Sequence, residues 1–563
     1  MEDHSQQSIE EIISKITQRL NIPISSTTIT IKDRNFLYNE NCSEYDLFPI
    51  GSITKTFTAV LFAQLAQEGL INLDIPLNEM KIDFSMGNEE LSKLCTIRDI
   101  LTHRTGLPRH DFATYEQDLT IKELYKRLKY LKTNNSIRTT FSYNNILYMI
   151  LPHILETSTG LKYLELIQKK LFLPYKLDNS FFILPESKSV INGNKIIDGM
   201  IQRTPFYTPN FDYGALSLIS CSQDLLKWLK IFLKNQMFSD INSITDITID
   251  QVLEPQILLS DSNLLSPLDN TNISSFMSYG LGWFCENYRK NTLYYHLGNI
   301  QGYSSIILFS PEKEFSLSFL CNVQSSFAPK IVALTLLDYF LCLNPKNYLE
   351  LFLNRQKSLQ FEKEKRKPEF FSKCSNLKVF TQNESNRFMG VFYNPGYGTI
   401  RIFPSGNSSE LLIDFGRFTV PLKPCFQNCF YFSIETYEIL EFVSFFFQDT
   451  EQASSILIRL EPELNPLEFK RKNTNKLQYI NLKQLEGKYK SLSHELNIKK
   501  EYNTLLAQKG NNTTVKYKKR QNNIFSYQGE DHSLLEFCLD TDGVFSKVIY
   551  SDQNGKIEIY KYK

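Results

Sequence analysis

The stretch FPIGSITKTFTAVLFAQLAQEGLINLDIP, residues 48–76, reads as a tight turn running into a helix that is apolar almost all round. Gly51 admits the turn, Ser52 falls at the helix start and Gly69 supplies a stop. A helix of that pattern belongs inside a protein. Ser52 and Lys55 stand at i and i+3, on one face and one turn apart. A hydroxyl there meets the unpaired amides and positive end of the helix, which favour a developing oxyanion. Burial lowers a lysine's pKa, so Lys55 can supply neutral amine to take the Ser52 proton. The same residues also read as a helix cap beside a partly buried lysine. The spacing alone does not choose, because Ser-x-x-Lys recurs at Ser310 and Ser375. Only the first opens an apolar helix; Ser310 precedes Pro311 in a turn and Ser375 lies among strands, so both read as surface coincidences.

Two further signals follow in order. FSYNNILYMILPHILETSTG, residues 141–160, places Tyr143, Asn144 and Asn145 on a turn before a helix that ends at Gly160. A phenol near a lysine ammonium has its pKa lowered and can shuttle protons, and the Asn145 amide can hold a substrate carbonyl. YGLGWF, residues 279–284, is followed by YYHLGNIQGYSSIILF, in which His296, Leu297 and Gly298 enter a strand. Gly298 allows close backbone approach, so a substrate can pair along that edge. Taken alone, His296 also reads as an ordinary core or surface histidine.

The 563 residues allow about three or four domains at roughly 150 residues each. The hydrophobic share of 42% places the chain among folded globular proteins. With 62 basic against 61 acidic residues, no broad attraction to nucleic acid or anionic lipid is expected. The polar first twenty residues show no secretory signal, and no apolar run reaches the roughly 18 to 20 residues of a membrane span. Ten scattered cysteines without a CxxC pair suit free thiols in a reducing compartment, with Cys425 and Cys429 as core or turn residues. These features point to a cytoplasmic protein. The seven histidines, His103 and His110 among them, accompany no metal-ligand spacing, so neither metal nor cofactor is expected.

Up to about residue 345 long apolar helical runs mix with short strands; beyond about 375 short alternating strands dominate. Residues 346–374 form a charge-dense helical linker in which Glu362, Glu364 and Glu369 interrupt the lysines. The remainder repeats. RFMGVFYNPGYGTIRI at 387–402 corresponds to QLEGKYKSLSHELNIK at 484–499, with Gly390 and Gly487 each preceding an aromatic. Each copy can hold seven or eight strands, enough to close a small barrel with a packed or ligand-holding interior. The expected boundaries are 375–475 and 476–563.

Together GSITK, YNN and HLG resemble the three active-site elements of the serine β-lactamase and penicillin-binding-protein superfamily, in its class C-like branch with esterases and D-aminopeptidases. LTHRTGLPRHD at 101–111 and YGALSLISCSQDLLKWLKIFL at 213–233 are similar to further segments of that branch. The resemblance covers residues 8–345. It implies an α+β catalytic domain, an antiparallel sheet flanked by helices beside an all-helical region, followed here by two small antiparallel β-barrel domains. The barrel segment around 388–397 is similar to the lipocalin-like domains attached to some such hydrolases, where they shape the cleft or assemble subunits. The resemblance further implies Ser52 as acylated nucleophile, Lys55 and Tyr143 as proton-transfer partners, and Asn145 as a substrate-positioning amide. His296 would stand where many relatives have lysine. The backbone N–H groups of Ser52 and of Asn299, which follows Gly298, would form an oxyanion hole. The chain departs from the pattern at Asn144, where serine is usual, at Arg104 and Thr105, where Thr and Ser are usual, and in a region before Ser52 about ten residues short.

The resulting expectation is a serine hydrolase cleaving an amide or ester of a small-molecule or peptide substrate through an acyl-enzyme. The alternative is a catalytically idle scaffold that binds or assembles through the cleft or the barrels, and a homo-oligomer fits either.

Overall fold

The computed structural model describes residues 5–472 apart from 81, 117–118, 198, 205–211, 234–243, 260–273, 326, 373, 375–381, 406–409, 417, 435–438 and 449–450, and from 487 onward the backbone of eight strands. Eight strands form one antiparallel sheet. Their spatial order is Arg34–Glu40, Ser25–Ile31, Phe315–Cys321, Tyr303–Ser310, Asn291–Ile300, Phe284–Tyr288, Ser274–Tyr279 and Ile257–Leu258. Every residue of Tyr303–Ser310 is buried, which in a strand of alternating side chains requires cover on both faces. Ile306 and Leu308 pack with Ile9 and Ile13 of the Gln6–Arg19 helix and with Ile331 of the Ala328–Phe340 helix. Ile307 and Phe309 point the other way, into a core shared with Phe57, Trp228 and Trp283.

That second core holds the Thr54–Gln67 helix, of which twelve of fourteen residues are buried. Phe57 stacks on Trp228 of the Ser222–Lys230 helix with centroids 4.0 Å apart. Beyond it lie the helices Ile97–Leu101, Ile121–Arg127 and Asn145–Thr159, so the helix that begins beside Ser52 is sandwiched between sheet and helical region. This is the α+β arrangement expected from the sequence. Among the described residues no helix is long and apolar enough to cross a membrane.

A helix at Tyr348–Ser372 leads to the barrels; the side chains of 362–369, and with them the interrupting glutamates, lie outside the described residues. Both barrels are closed and have eight strands, each hydrogen-bonded to the next in sequence. The first runs from Gly390–Asn394 to Leu467–Arg471 and closes through Phe392 against Arg471. The second runs from Gly487–Lys490 to Gly555–Tyr562 and closes through Lys488 against Tyr562. Each carries a register shift at the end of its fourth strand, at Pro424/Phe426 and Lys519/Gln521. The first interior is filled: Phe388, Phe430 and Phe445 lie within 5.3 Å of one another, centroid to centroid.

Two sequence expectations are corrected. Cys374 and Cys425 form a disulfide that ties the region after the long helix to the fourth strand of the first barrel. They stand 51 residues apart, a separation no spacing rule flags, and the bond is at odds with the reducing compartment that scattered thiols pointed to. Cys42, Cys95, Cys221, Cys285, Cys321 and Cys429 are free thiols. Ser310 is not at the surface but buried at the end of its strand; Ser375 lies outside the described residues.

Candidate active site

Gly51 has φ +54°, and a Cβ there would stand 3.1 Å from the backbone nitrogen of Asn299. Glycine therefore permits both the left-handed turn and the close passage of the sheet edge. Gly51–Ile53 forms a single 3-10 turn that continues into the Thr54–Gln67 helix. Thr54 fixes the turn by donating from Oγ1 to the Gly51 carbonyl at 2.6 Å and accepting from the Leu218 N–H at 3.1 Å. Ser52 is left half-buried at the cleft, and Lys55 is fully buried.

The Lys55 Nζ lies 3.2 Å from Ser52 Oγ, 2.8 Å from Asn145 Oδ1 and 3.1 Å from the Ala215 carbonyl. Burial holds its pKa well below the ordinary lysine value, assisted by the Arg109 charge and opposed by Asp111 and Asp212. As a neutral amine Lys55 has two N–H groups and a lone pair. Asn145 Oδ1 and the Ala215 oxygen can only accept, so the lone pair falls to the Ser52 hydroxyl.

Tyr143, on the turn that faces Ser52, has its ring centroid 4.9 Å from Lys55 Nζ. Its pKa is raised, against the sequence expectation. Burial outweighs the opposing pull of the Ser52 side chain and the Arg109 charge, and an amine that is itself neutralised exerts little pull on the phenol. The group is a phenol that can pass a proton on, not a standing phenolate. Asn144, in the usual serine position, caps the Asn145–Thr159 helix by accepting from the Leu147 N–H at 2.9 Å and donates to the Pro108 carbonyl at 2.5 Å. Arg104 turns away from the site and pairs with buried Asp99 at 2.7 Å, a carboxylate it shares with Arg138.

The third element is the strand Asn291–Ile300. It pairs with Phe284–Tyr288 only as far as Tyr295, so beyond that point one edge has no strand partner among the described residues. A Cβ on Gly298 would collide with the Ile50 carbonyl, which is why this edge can lie against the Ser52 turn. Asn299 is exposed there. His296 is buried, with Nδ1 at 2.8 Å from the Leu297 carbonyl and Nε2 at 3.2 Å from the Tyr279 hydroxyl. A carbonyl must accept, so Nδ1 carries the proton and Nε2 accepts from Tyr279. Burial lowers its pKa to about 3, so it brings no positive charge.

Three residues complete the arrangement that sequence reading passed over. His103, left-handed at φ +54°, accepts the Asn144 N–H at 3.1 Å through Nδ1, takes the Ser142 N–H at 2.8 Å on its carbonyl and packs 4.3 Å from the Tyr143 ring. It orients the turn that carries Tyr143. Arg109 lies with its guanidinium carbon 5.5 Å from the Tyr143 centroid and pairs with Asp111 at 2.9 Å; Asp111 in turn stands 3.5 Å from Asn145 Nδ2. All three belong to LTHRTGLPRHD, but only the folded chain brings that segment against YNN. Among the described residues no group of three His, Cys, Asp or Glu could hold a metal ion.

The Beta-lactamase family model matches residues 10–338. The Unguisins hydrolase of Aspergillus campestris is 22% identical over 456 residues, which are 75% of this chain and 82% of that protein. Protein flp of Staphylococcus aureus is 24% identical over 346 residues, 58% of this chain and 65% of its own length. Among solved structures, an octameric penicillin-binding protein homologue from Pyrococcus abyssi aligns with a TM-score of 0.51 at 20% identity, covering 82% of this chain and 99% of that one. A class C beta-lactamase mutant aligns at 0.50 and 19%, covering 59% and 97%. At these identities the structures speak to the fold alone.

Proposed function

The chain belongs to the Beta-lactamase family, and on that premise we propose that it is a serine hydrolase cleaving an amide or ester of a small molecule or peptide through an acyl-enzyme on Ser52. The observation that carries this reading is the bond from a buried Lys55 to Ser52 at 3.2 Å, with the other Lys55 partners unable to give a proton. In acylation the Ser52 proton passes to Lys55 Nζ as Oγ bonds to the substrate carbonyl carbon. The resulting oxyanion lies between the N–H groups of Ser52 and Asn299, donors typically worth about 3 kcal/mol each in a transition state. Collapse breaks the bond to the leaving group, which takes the Tyr143 proton while Tyr143 regains one from Lys55. Water then repeats the sequence on the acyl ester and frees Ser52. Asn145 holds the substrate carbonyl side, and neutral His296 walls the cleft beside Gly298.

A fluorophosphonate or penicillin probe is expected to label the wild-type protein at one serine and to leave Ser52→Ala unlabelled. Persistent labelling of the variant, or no labelling of the wild type by any of several probes, would replace the hydrolase by the scaffold reading, in which cleft and barrels bind or assemble without chemistry. A screen with p-nitrophenyl esters, D-amino-acid amides and nitrocefin then narrows the substrate class.

A further inference from the structure

We propose that the first barrel is a working part of the active site: through Tyr397 and Glu461 it clamps His110 and so holds Arg109 and Asp111 against Tyr143 and Asn145. The inference rests on the function proposed above. His110 is fully buried and sits at φ +52°, a left-handed conformation that a non-glycine residue keeps only when its surroundings impose it. Its ring and backbone make four bonds: the His110 carbonyl accepts the Ala113 N–H at 2.8 Å, and of the other three, two come from the barrel. Glu461 Oε2 accepts the His110 N–H at 2.7 Å, across 351 residues of sequence. The Tyr397 hydroxyl lies 2.6 Å from Nδ1, across 287 residues. Nε2 lies 2.8 Å from the Lys132 carbonyl. Because that carbonyl must accept, Nε2 carries the proton and Nδ1 accepts from Tyr397. The ring is neutral, its pKa lowered by burial to about 4.

The clamp does not stand alone. Phe112 and Tyr115, just beyond His110, meet Phe415 and Phe418 of the barrel at centroid distances of 5.6 and 5.2 Å. The residues on either side of His110 are those that face the site: Arg109 over the Tyr143 ring, Asp111 bridging from Arg109 to Asn145. A shift of His110 therefore moves both at once. Tyr397, Glu461 and His110 are positioning residues; none touches the reacting atoms.

The test compares Tyr397→Phe, Glu461→Ala and Glu461→Gln in the full chain, using the small ester p-nitrophenyl acetate. Tyr397→Phe and Glu461→Ala are expected to lower kcat at least tenfold with KM within about twofold, and to raise hydrogen exchange at the amides of 109–111 and 143–145 with the sheet still protected. Glu461→Gln, whose amide oxygen can still accept the His110 N–H, is expected to stay within about threefold of wild type on every readout. Wild-type kcat in Glu461→Ala and Tyr397→Phe would overturn the clamp. If the wild type turns over no ester and takes no probe, the hydrolase reading has failed instead, and exchange alone judges the clamp: unchanged protection at 109–111 in Glu461→Ala sinks it.

Discussion

Two lysines lie buried on opposite sides of one sheet, and what surrounds each differs. Lys330, on the Ala328–Phe340 helix, donates to Glu286 Oε2 at 3.0 Å and to the Tyr295 hydroxyl at 3.3 Å, with its Nζ 4.7 Å from the Tyr295 centroid. Lys55, on the Thr54–Gln67 helix, sits 4.9 Å from a tyrosine centroid in the same way, but its bonded partners are a hydroxyl, a side-chain amide and a backbone carbonyl. Both amines have lost their water, so the carboxylate makes the difference. An ammonium matched by Glu286 is an ion pair that closes a core; an amine matched only by neutral groups is pushed towards its unprotonated form and becomes a base. The same residue type, buried on both sides of the sheet, is held in an ion pair on one side and has its pKa lowered by burial on the other.

The largest expected effect breaks the structural side. Lys330→Met takes the paired ammonium away from the buried Glu286 carboxylate, and denaturant unfolding should show a loss of about 3–5 kcal/mol, most of it recovered when Glu286→Leu is added. The matching change in the other region, Lys55→Met, leaves no unpaired charge and should cost far less stability. Its sign with pH is also fixed. The folded pKa of Lys55 lies below its unfolded value, so between the two the unfolded chain binds the extra proton and wild-type stability rises with pH. That slope should vanish in Lys55→Met.

Next in size, Lys55→Ala should slow acylation of Ser52 by at least about a hundredfold, about 2.7 kcal/mol, measured as the rate of probe labelling. A near-normal rate would make Lys55 no more chemical than Lys330. The smallest and most discriminating change converts one region into the other. Asn145→Asp puts a carboxylate where Lys55 now finds an amide oxygen at 2.8 Å. The pH at which acylation reaches half its plateau should move up by at least about one unit, because the amine then holds its proton longer. An unmoved profile would separate Lys55 from the ionisation that controls the rate.

Much of this was legible in the linear chain. The Gly51–Gly69 segment announces a buried helix with Ser52 and Lys55 on one turn, because apolarity all round a helix has no other use in a chain without a membrane-length run. The YNN segment reads as a turn before a helix ending at Gly160, and the structure starts that helix at Asn145 and ends it at Gly160. The Gly390 and Gly487 repeat marks two like units, and both close into eight-stranded barrels. Other features were hidden for a common reason. The Cys374–Cys425 bond, the Arg104–Asp99 pair and the His110 contacts with Tyr397 and Glu461 join residues whose partners are set by how whole elements pack. The direction of the Tyr143 shift was hidden for the same reason, because it follows from burial of the phenol itself, which only packing decides.

Local pattern, acting over a turn of helix or a pair of strands, determined which residues would form the Ser52 helix, the YNN turn, the HLG strand and the paired barrels. Those signals depend on side-chain periodicity and backbone preference, which are written in consecutive residues. Which buried lysine meets a carboxylate, whether a phenol or histidine keeps its charge, and which barrel residues reach His110 were decided only by the tertiary structure. Desolvation and electrostatics depend on every atom within a few ångströms, and those atoms come from segments up to 351 residues apart.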